Sequence, residues 1–256
     1  MTTALQSTID FIETELQDGR LTIAFNRPDA MNALRPEMLA EAARLVSAGS
    51  ADQSVSVVVL TGRGRAFSAG VDLKVLQGIQ PEDGVVGNLF DEPAAALAAA
   101  IRDAGVPVIA RVVGACFTGA LEIALHCDFM YTTASTKFGD THVKFGLRPT
   151  WGMSQTLSRA LGQRRARELS FTAKTFLGHD AKDWGLANEV FDEATDLDAA
   201  LDDTCRRIVG NSADAVAAVK DLYRQSEREV GIKESLKIEG ANQYAISDTA
   251  ERLSTF

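Results

Sequence analysis

The chain has 256 residues, of which 46% are hydrophobic and 24% charged, and its formal net charge at pH 7 is −9. A chain of this length and composition can bury a sizeable core without disulfides or metals, so we expect one α/β domain, or such a domain with a helical appendage. The negative charge argues against nucleic acid and anionic membrane surfaces as partners, because both repel it. A small phosphorylated ligand is still compatible, because a local arginine cluster can oppose the overall charge.

Three further features predict a soluble cytoplasmic protein. The three cysteines, Cys116, Cys127 and Cys205, form neither a C-x-x-C pair nor an even framework, which is typical of buried thiols in a reducing compartment. The N-terminus carries acidic residues and has neither the basic nor the apolar region of a signal peptide. The uncharged stretch from Val112 to Leu121 is about half of the ~20 residues that a membrane-spanning helix needs.

Strands and helices are predicted to alternate along the first 195 residues. In chain order the patterns indicate strands at Phe11–Leu16 and Arg20–Phe25 joined by an Asp18-Gly19 turn, a helix from Pro36, a buried strand at Val55–Leu60, a glycine-rich turn at Thr61–Gly70, a helix at Ala94–Ala104, a strand at Val108–Val113, a turn at Gly114–Gly119, a helix at Ala120–His126 and a strand at Phe129–Thr132. This alternation favours a parallel sheet with crossover connections. Residues 75–93, rich in glycine, are expected to form a mobile wall of a binding pocket.

The C-terminal part has a different pattern. Three amphipathic helices without an intervening strand are predicted, at Asp196–Val209, Ser212–Gln225 and Ile232–Ala245. We therefore divide the chain into a core of residues 1–195 and a helical region of residues 196–256.

Several familiar catalytic motifs are absent or incomplete. The glycines at 62 and 64 suggest a dinucleotide fingerprint, but Phe67 stands where its third glycine belongs. No glycine is followed by Lys and then Ser or Thr, so there is no Walker loop. The serine-hydrolase pattern is missed by one residue at 152–156, and the three histidines are not spaced as metal ligands. Hydride transfer, phosphoryl transfer, serine hydrolysis and zinc chemistry are therefore disfavoured.

Two turns that follow buried strands are the remaining candidates for a site. In the first, at residues 62–73, the small residues Ser68, Ala69 and Gly70 allow a ligand to approach the main chain. The second, at residues 113–122, runs into a helix whose first N–H groups have no intrahelical partners. Backbone donors from two such turns can hold a developing oxyanion, and losing one donor costs about 3–4 kcal/mol of transition-state stabilisation.

Glu122 is the candidate acid or base beside these turns. It lies between Leu121 and Ile123, and apolar surroundings raise the pKa of a carboxyl group towards the range useful for proton transfer. The alternative is that Glu122 only complements the helix dipole, as most acidic residues in a first helical turn do.

The segments RAFSAGVDL (residues 65–73) and GACFTGALEIALHCD (residues 114–128) together resemble the crotonase superfamily, the enoyl-CoA hydratase/isomerase group. NRPDAMNAL (residues 26–34), ARELS (residues 166–170) and AKDWGLA (residues 181–187) extend the resemblance over residues 10–195. Each segment is a weak signal alone, but their order and spacing together are specific.

The resemblance implies a superhelix of ββα turns with C-terminal helices that assemble trimers, often paired into hexamers. It implies that the substrate is an acyl-CoA thioester. Coenzyme A arrives with that substrate, so no metal, redox group or other separate cofactor is expected. The family's oxyanion donors fall on the backbone N–H groups of Ala69 and Gly119, and its first catalytic glutamate falls on Glu122. Further substrate contacts are expected at Arg27, Ser68, Gly70 and Asp72.

The chain departs from the family pattern where hydratases carry a second glutamate. His142 stands at that position, and it either shares the proton transfer or only hydrogen-bonds its own loop. Asp140 is a weaker candidate, expected to cap the loop, and His126 and Lys74 are expected to be a packed histidine and a surface cation. The last five residues also lack the family's usual C-terminal pattern.

Three functions are compatible with these residues. The first is hydration of a trans-2-enoyl-CoA, with Glu122 and His142 moving the protons. The second is a double-bond isomerase, or other enolate chemistry on an acyl-CoA, in which Glu122 is the single base. The third is an acyl-CoA-binding protein with little turnover, and the type of acyl group is left open in all three.

Overall fold

The larger of two β-sheets in the protein has six strands. The computed structural model describes residues 2–77, 83–227, 237 and 243–247. The strands are β1 (Ile12–Gln17), β2 (Arg20–Phe25), β3 (Val57–Gly62), β4 (Val108–Val112), β5 (Ala115–Phe117), β6 (Phe129–Thr133), β7 (Lys137–Gly139), β8 (Phe176–Leu177) and β9 (Glu189–Phe191). The helices are α1 (Pro36–Ala51), α2 (Leu73–Leu76), α3 (Asn88–Asp103), α4 (Gly119–His126), α5 (Met153–Leu161), α6 (Gln163–Thr172), α7 (Gly178–Asp183), α8 (Ala194–Val209) and α9 (Ala213–Ser226). Short 3-10 helices occupy Thr3–Leu5, Pro28–Ala30 and His142–Phe145.

The order of the large sheet is β1-β2-β3-β4-β6-β9. The β1–β2 pair is antiparallel and every other pair in this sheet is parallel, as the alternating pattern predicts. The hairpin turn has Asp18 at φ 48° and Gly19 at φ 78°, the left-handed values that a two-residue turn requires and that Asp-Gly provides.

A second, three-stranded sheet of order β5-β7-β8 holds the site-bearing segments together. β5 pairs in parallel with β7, so the turn that leaves β5 lies beside the segment that leaves β7. The first turn joins this sheet through a bridge between Ser68 and Cys116. The two turns and the His142 segment, which are far apart in sequence, therefore meet at one place.

The main core lies between the large sheet and helices α1 and α3, where Leu45, Leu60, Leu97 and Val108 are fully buried. A second apolar cluster lies where Leu197, Leu201 and Cys205 of α8 pack on β3 and β4. α8 thus packs directly on the large sheet, and the division of the chain at residue 195 stays a prediction.

Several predicted elements have different bounds in the structure. β3 begins two residues later and extends to Gly62, because its end pairs with Phe25. α3 begins at Asn88 rather than Ala94, since Phe90 in its first turn is fully buried and Pro93 is accommodated inside the helix. Part of the expected mobile wall is therefore helical. Residues 78–82 and most of the third predicted C-terminal helix lie outside the described residues.

No helix in the described part of the chain is long and apolar enough to span a membrane.

Candidate active site

A cavity of about 370 Å³ lies where the two turns meet. It is lined by apolar, hydroxyl and charged side chains, and among the described residues Glu122 is the only carboxylate that lines it. The lining residues used below are Val71, Thr118, Gly119, Glu122, His142, Lys144, Arg148 and Trp151.

The first turn contributes a different backbone donor from the one predicted. The Ala69 N–H donates to the Met31 carbonyl oxygen at 2.9 Å, so it is already occupied and the assignment of Ala69 to the oxyanion hole is wrong. Val71, two residues later, lines the cavity, and its N–H has no acceptor among the described residues. Gly70 between them has φ 94°, and a Cβ there would lie 2.9 Å from the Phe117 carbonyl oxygen, so glycine is required for this reversal.

The four predicted substrate contacts do not line the cavity. Ser68 is fully buried and its Oγ accepts the Gly70 N–H at 3.1 Å, so this side chain shapes the turn and cannot reach a ligand. Asp72 caps α2 by accepting the Lys74 N–H at 3.0 Å and pairs with Arg27 Nη1 at 2.9 Å. Burial opposes ionisation of Asp72, but the Arg27 guanidinium, the Lys74 N–H and the Arg35 charge together lower the Asp72 pKa. A contact between Arg27 and the substrate stays a prediction.

The second turn presents the Gly119 N–H at the start of α4. Thr118 before it has φ 53°, a strained value for a β-branched residue, and its hydroxyl is held by the Thr141 hydroxyl at 2.5 Å. The Gly119 N–H has no acceptor within the part of the chain described, as expected for the first residue of a helix. A Cβ on Gly119 would lie 2.4 Å from Cζ3 of Trp151, so only glycine fits beneath this ring.

Glu122 is 1% exposed and projects from the same helix. Its Oε1 accepts the backbone N–H groups of Trp151 at 3.1 Å and Met153 at 3.0 Å. Burial raises the pKa of Glu122 to about 7, against the opposing effects of the His142 charge and these two hydrogen bonds. The carboxyl group is therefore poised to gain and lose a proton near neutral pH, which favours the acid–base interpretation over a dipole-complementing role.

His142 lies between two carboxylates. Its Nε2 is 3.5 Å from Oε2 of Glu122, and its Nδ1 is 2.7 Å from Oδ1 of Asp140. Asp140 is also buried and accepts the His142 backbone N–H at 3.3 Å. Burial opposes ionisation of Asp140, but hydrogen bonds from His142 and Ser170 and the His142 charge together lower its pKa.

The surroundings of His126 and of the three cysteines favour a structural over a catalytic role. His126 Nε2 is 2.7 Å from the Trp151 carbonyl oxygen, and burial lowers the pKa of this histidine, as the prediction of a packed side chain requires. Burial also raises the pKa of all three cysteine thiols, so none is a ready nucleophile. Among the described residues no group of three His, Cys, Asp or Glu side chains is placed to hold a metal.

Comparison with known proteins finds a matching family model and relatives with names from the same family. A model of the family "Enoyl-CoA hydratase/isomerase" matches residues 15–254. The chain belongs to the enoyl-CoA hydratase/isomerase family. "Probable enoyl-CoA hydratase 1, peroxisomal" of Arabidopsis thaliana is 30% identical over 245 residues, which cover 95% of this chain and 90% of that protein.

Relatives with different named activities are equally similar. The "Delta(3,5)-Delta(2,4)-dienoyl-CoA isomerase, peroxisomal" of Arabidopsis thaliana is 30% identical over 246 residues, covering 92% of this chain and 88% of that protein. A crystal structure of an enoyl-CoA hydratase/carnithine racemase from Magnetospirillum magneticum has a TM-score of 0.88 at 27% identity, and the match covers 97% of this chain and 93% of that one. The predicted crotonase-like α/β fold is thereby confirmed, while the reaction within the enoyl-CoA hydratase/isomerase family is not settled.

Two residues of the site, Val71 and Trp151, are not predicted from the sequence. The sequence does not distinguish Val71 from Ala69, because both follow the same strand. Only the hydrogen bond from the Ala69 N–H to Met31 separates them. Trp151 was not singled out, because its contacts with Gly119 and Glu122 join residues about thirty positions apart in sequence. Its one signal was a large aromatic residue directly before a glycine and a helix start.

Proposed function

We propose that this protein hydrates a trans-2-enoyl-CoA to the 3-hydroxyacyl-CoA. The observation that carries the proposal is the Glu122–His142 pair, buried at 3.5 Å in a cavity that also presents the Gly119 N–H. Hydration needs one group to take a proton from water and another to supply a proton to carbon 2 of the acyl group. A buried carboxylate with a pKa of about 7 and an adjacent imidazole meet this need.

The proposed steps balance within the pair. The ionised Glu122 takes a proton from water as the water oxygen bonds to carbon 3 of the substrate. The N–H groups of Val71 and Gly119 stabilise the negative charge that develops on the thioester oxygen. The protonated His142 then gives its proton to carbon 2, and the proton on Glu122 passes to His142, which restores both groups for the next turnover.

A double-bond isomerase is the second candidate. Glu122 is the only carboxylate lining the described cavity, and a single base can move one proton between carbons 4 and 2 of a 3-enoyl-CoA without water. The similarity to a dienoyl-CoA isomerase supports this alternative. In it His142 would only hold Glu122 in place.

The test uses crotonoyl-CoA, a 3-enoyl-CoA of the same length, and two variants. For a hydratase, the wild-type protein consumes crotonoyl-CoA, Glu122→Gln lowers kcat by about 10²–10⁴-fold, and His142→Ala lowers it comparably. For an isomerase, only the 3-enoyl-CoA reacts and His142→Ala retains most of the rate. Full hydratase activity in Glu122→Gln would contradict the role of this residue, and tight acyl-CoA binding without turnover would support the third function.

The assembly is proposed on the family resemblance, and the location on the three cysteines, whose pattern is typical of buried thiols in a reducing compartment. We propose a homotrimer or a dimer of trimers acting in the cytoplasm on an acyl-CoA thioester that brings its own coenzyme A. Sedimentation equilibrium should give three or six times the chain mass, and a monomer would contradict the proposed assembly.

A further inference from the structure

His142 connects two buried carboxylates that lie on opposite sides of its ring. Asp140 contacts Nδ1 at 2.7 Å and Glu122 lies 3.5 Å from Nε2, so each ring nitrogen faces one carboxylate. Asp140, His142 and Glu122 are all buried, so bulk water does not compete for these contacts. The sequence predicts only that Asp140 caps its loop, and the proposed proton transfer between Glu122 and His142 does not involve it.

We propose that Asp140 is a positioning residue that keeps the His142 proton on Nδ1, so that Nε2 faces Glu122 and exchanges a proton with it. This inference rests on the proposed hydration and assigns a further residue to the same reaction.

The hydrogen-bond donors and acceptors around the imidazole decide which ring nitrogen carries the proton. A neutral imidazole has one N–H, and an ionised carboxylate can only accept hydrogen bonds. Asp140 Oδ1 accepts the His142 backbone N–H at 3.3 Å and lies 2.7 Å from the ring Nδ1. Such bonds favour the charged form. The ring nitrogen at 2.7 Å from Asp140 must then carry the proton.

The consequence for catalysis lies at the other ring nitrogen. With the proton on Nδ1, the Nε2 lone pair points at Glu122 and can receive the proton that Glu122 takes from water. In the opposite tautomer Nε2 would already carry a hydrogen, and the return of the proton from Glu122 would be blocked. A carboxylate that fixes a tautomer also stabilises the imidazolium that forms during turnover.

The surroundings of His142 contain few competing charges. Among the described residues, the titratable groups in contact with its ring are Glu122 from α4 and Asp140 from the preceding loop. Ser170 of α6, near Asp140, is uncharged, and Lys144, on the same short helix as His142, lies exposed at the cavity. Changes in the pH dependence of a variant at Asp140 can therefore be traced to the Asp140–His142–Glu122 chain.

The experiment compares Asp140→Asn with Asp180→Asn. Asp180 is a matched control because it also accepts a backbone N–H, that of Leu177 at 2.9 Å, but it contacts His179 rather than His142. We expect Asp140→Asn to lower kcat for crotonoyl-CoA by about 10²–10⁴-fold with KM changed less than about threefold, and to displace the limbs of the pH–rate profile. Asp140→Glu should recover part of the rate, and Asp180→Asn should behave as wild type.

A second measurement does not depend on turnover. The sequence contains three histidines, so the ¹⁵N spectrum of the imidazoles can be assigned with one His142→Gln sample. Wild-type His142 should show its neutral form protonated at Nδ1, and Asp140→Asn should shift the proton towards Nε2. An unchanged tautomer and an unchanged pH profile in Asp140→Asn would overturn the proposal. If the wild-type protein hydrates no enoyl-CoA but the tautomer still depends on Asp140, the proposed function fails while the positioning role holds.

Discussion

Burial determines how Glu122 contributes to stability as well as to chemistry. Its pKa of about 7 in the folded protein lies above the ordinary value of 4.5, so between these pH values the folded protein holds a proton that the unfolded chain has released. The stabilisation is complete below about pH 4.5 and is lost as the pH rises through about 7. Above that pH the folded protein carries an ionised buried carboxylate, at a free-energy cost of about 3 kcal/mol or less.

Glu122→Gln should remove this cost. The amide oxygen can still accept the N–H groups of Trp151 and Met153, and the side chain no longer ionises. We expect the variant to exceed the wild type in free energy of unfolding at pH 8 by up to about 3 kcal/mol, and by less at pH 5. Urea unfolding at the two pH values measures the difference. Glu168→Gln, at a half-exposed ion pair with Lys174, is the control and should change stability little at either pH. An equal difference at both pH values would contradict the explanation.

Gly119 is constrained by Trp151 rather than by its own backbone angles. Because a Cβ at Gly119 would lie 2.4 Å from the Trp151 ring, Gly119→Ala must displace the ring, and with it the Trp151 N–H that contacts Glu122. We expect at least about a 10²-fold loss of turnover, the scale of losing one oxyanion donor, and an altered near-ultraviolet circular dichroism of tryptophan. Gly105→Ala, where the nearest atom is Ser50 Oγ at 3.7 Å, should leave both readouts unchanged.

Sequence reasoning identifies site residues to the extent that they belong to local motifs. Glu122 and Gly119 follow from a turn, a helix start and a family pattern within ten residues. Local motifs do not predict the pairing of His142 with Asp140 or the choice between Ala69 and Val71. These depend on which hydrogen bonds form across the fold, such as that of Ala69 with Met31, and a local pattern does not encode such partners.

At the scale of elements, the hydrophobic periodicity predicts well whether a segment is a helix or a strand. It predicts poorly which surface that helix or strand packs on. The β1–β2 hairpin, α1 and α4 occur where alternation and the 3.6-residue period predict them. The stripe of Leu197, Leu201 and Cys205 also predicts α8, but a stripe cannot tell whether it faces its own sheet or another subunit. The structure buries it on β3 and β4, and Arg111 of β4 pairs with Asp198 of α8 at 2.5 Å.

Lys220 attaches α9 to the rest of the molecule. Its Nζ donates to the carbonyl oxygens of Ile101 at 2.9 Å and Val106 at 3.0 Å and contacts Asp128 Oδ2 at 2.8 Å. Lys220→Met should remove all three contacts, since methionine has no donor, and lower the free energy of unfolding by about 1–3 kcal/mol. Arg102→Gln, which breaks an exposed pair with Glu227, is the matched control and should cost less than about 0.5 kcal/mol. Chemical denaturation measures the free energy of unfolding of the two variants. An equal loss of this free energy in both would contradict the role assigned to Lys220.

At the scale of the whole molecule, the net charge of −9 is not reflected in the cavity. Lys144 and Arg148 line it, and neither has a carboxylate partner among the described residues, whereas Glu122 is the single acid there. Arg27, which the sequence predicts as a substrate contact, is paired with Asp72. Composition gives the sum of the charges, but only the fold decides which of them are neutralised by neighbours.

The 3.5 Å separation between Glu122 and His142 also constrains the geometry of the product. Groups on opposite faces of a planar double bond would lie about 7 Å apart, since each needs about 3.5 Å of contact distance from the plane. The oxygen of water and the new hydrogen on carbon 2 should therefore arrive on the same face. Hydration of crotonoyl-CoA in D₂O should give a single diastereomer with syn addition, read from the proton coupling between carbons 2 and 3. An anti or mixed product would mean that the two groups do not act on one substrate together.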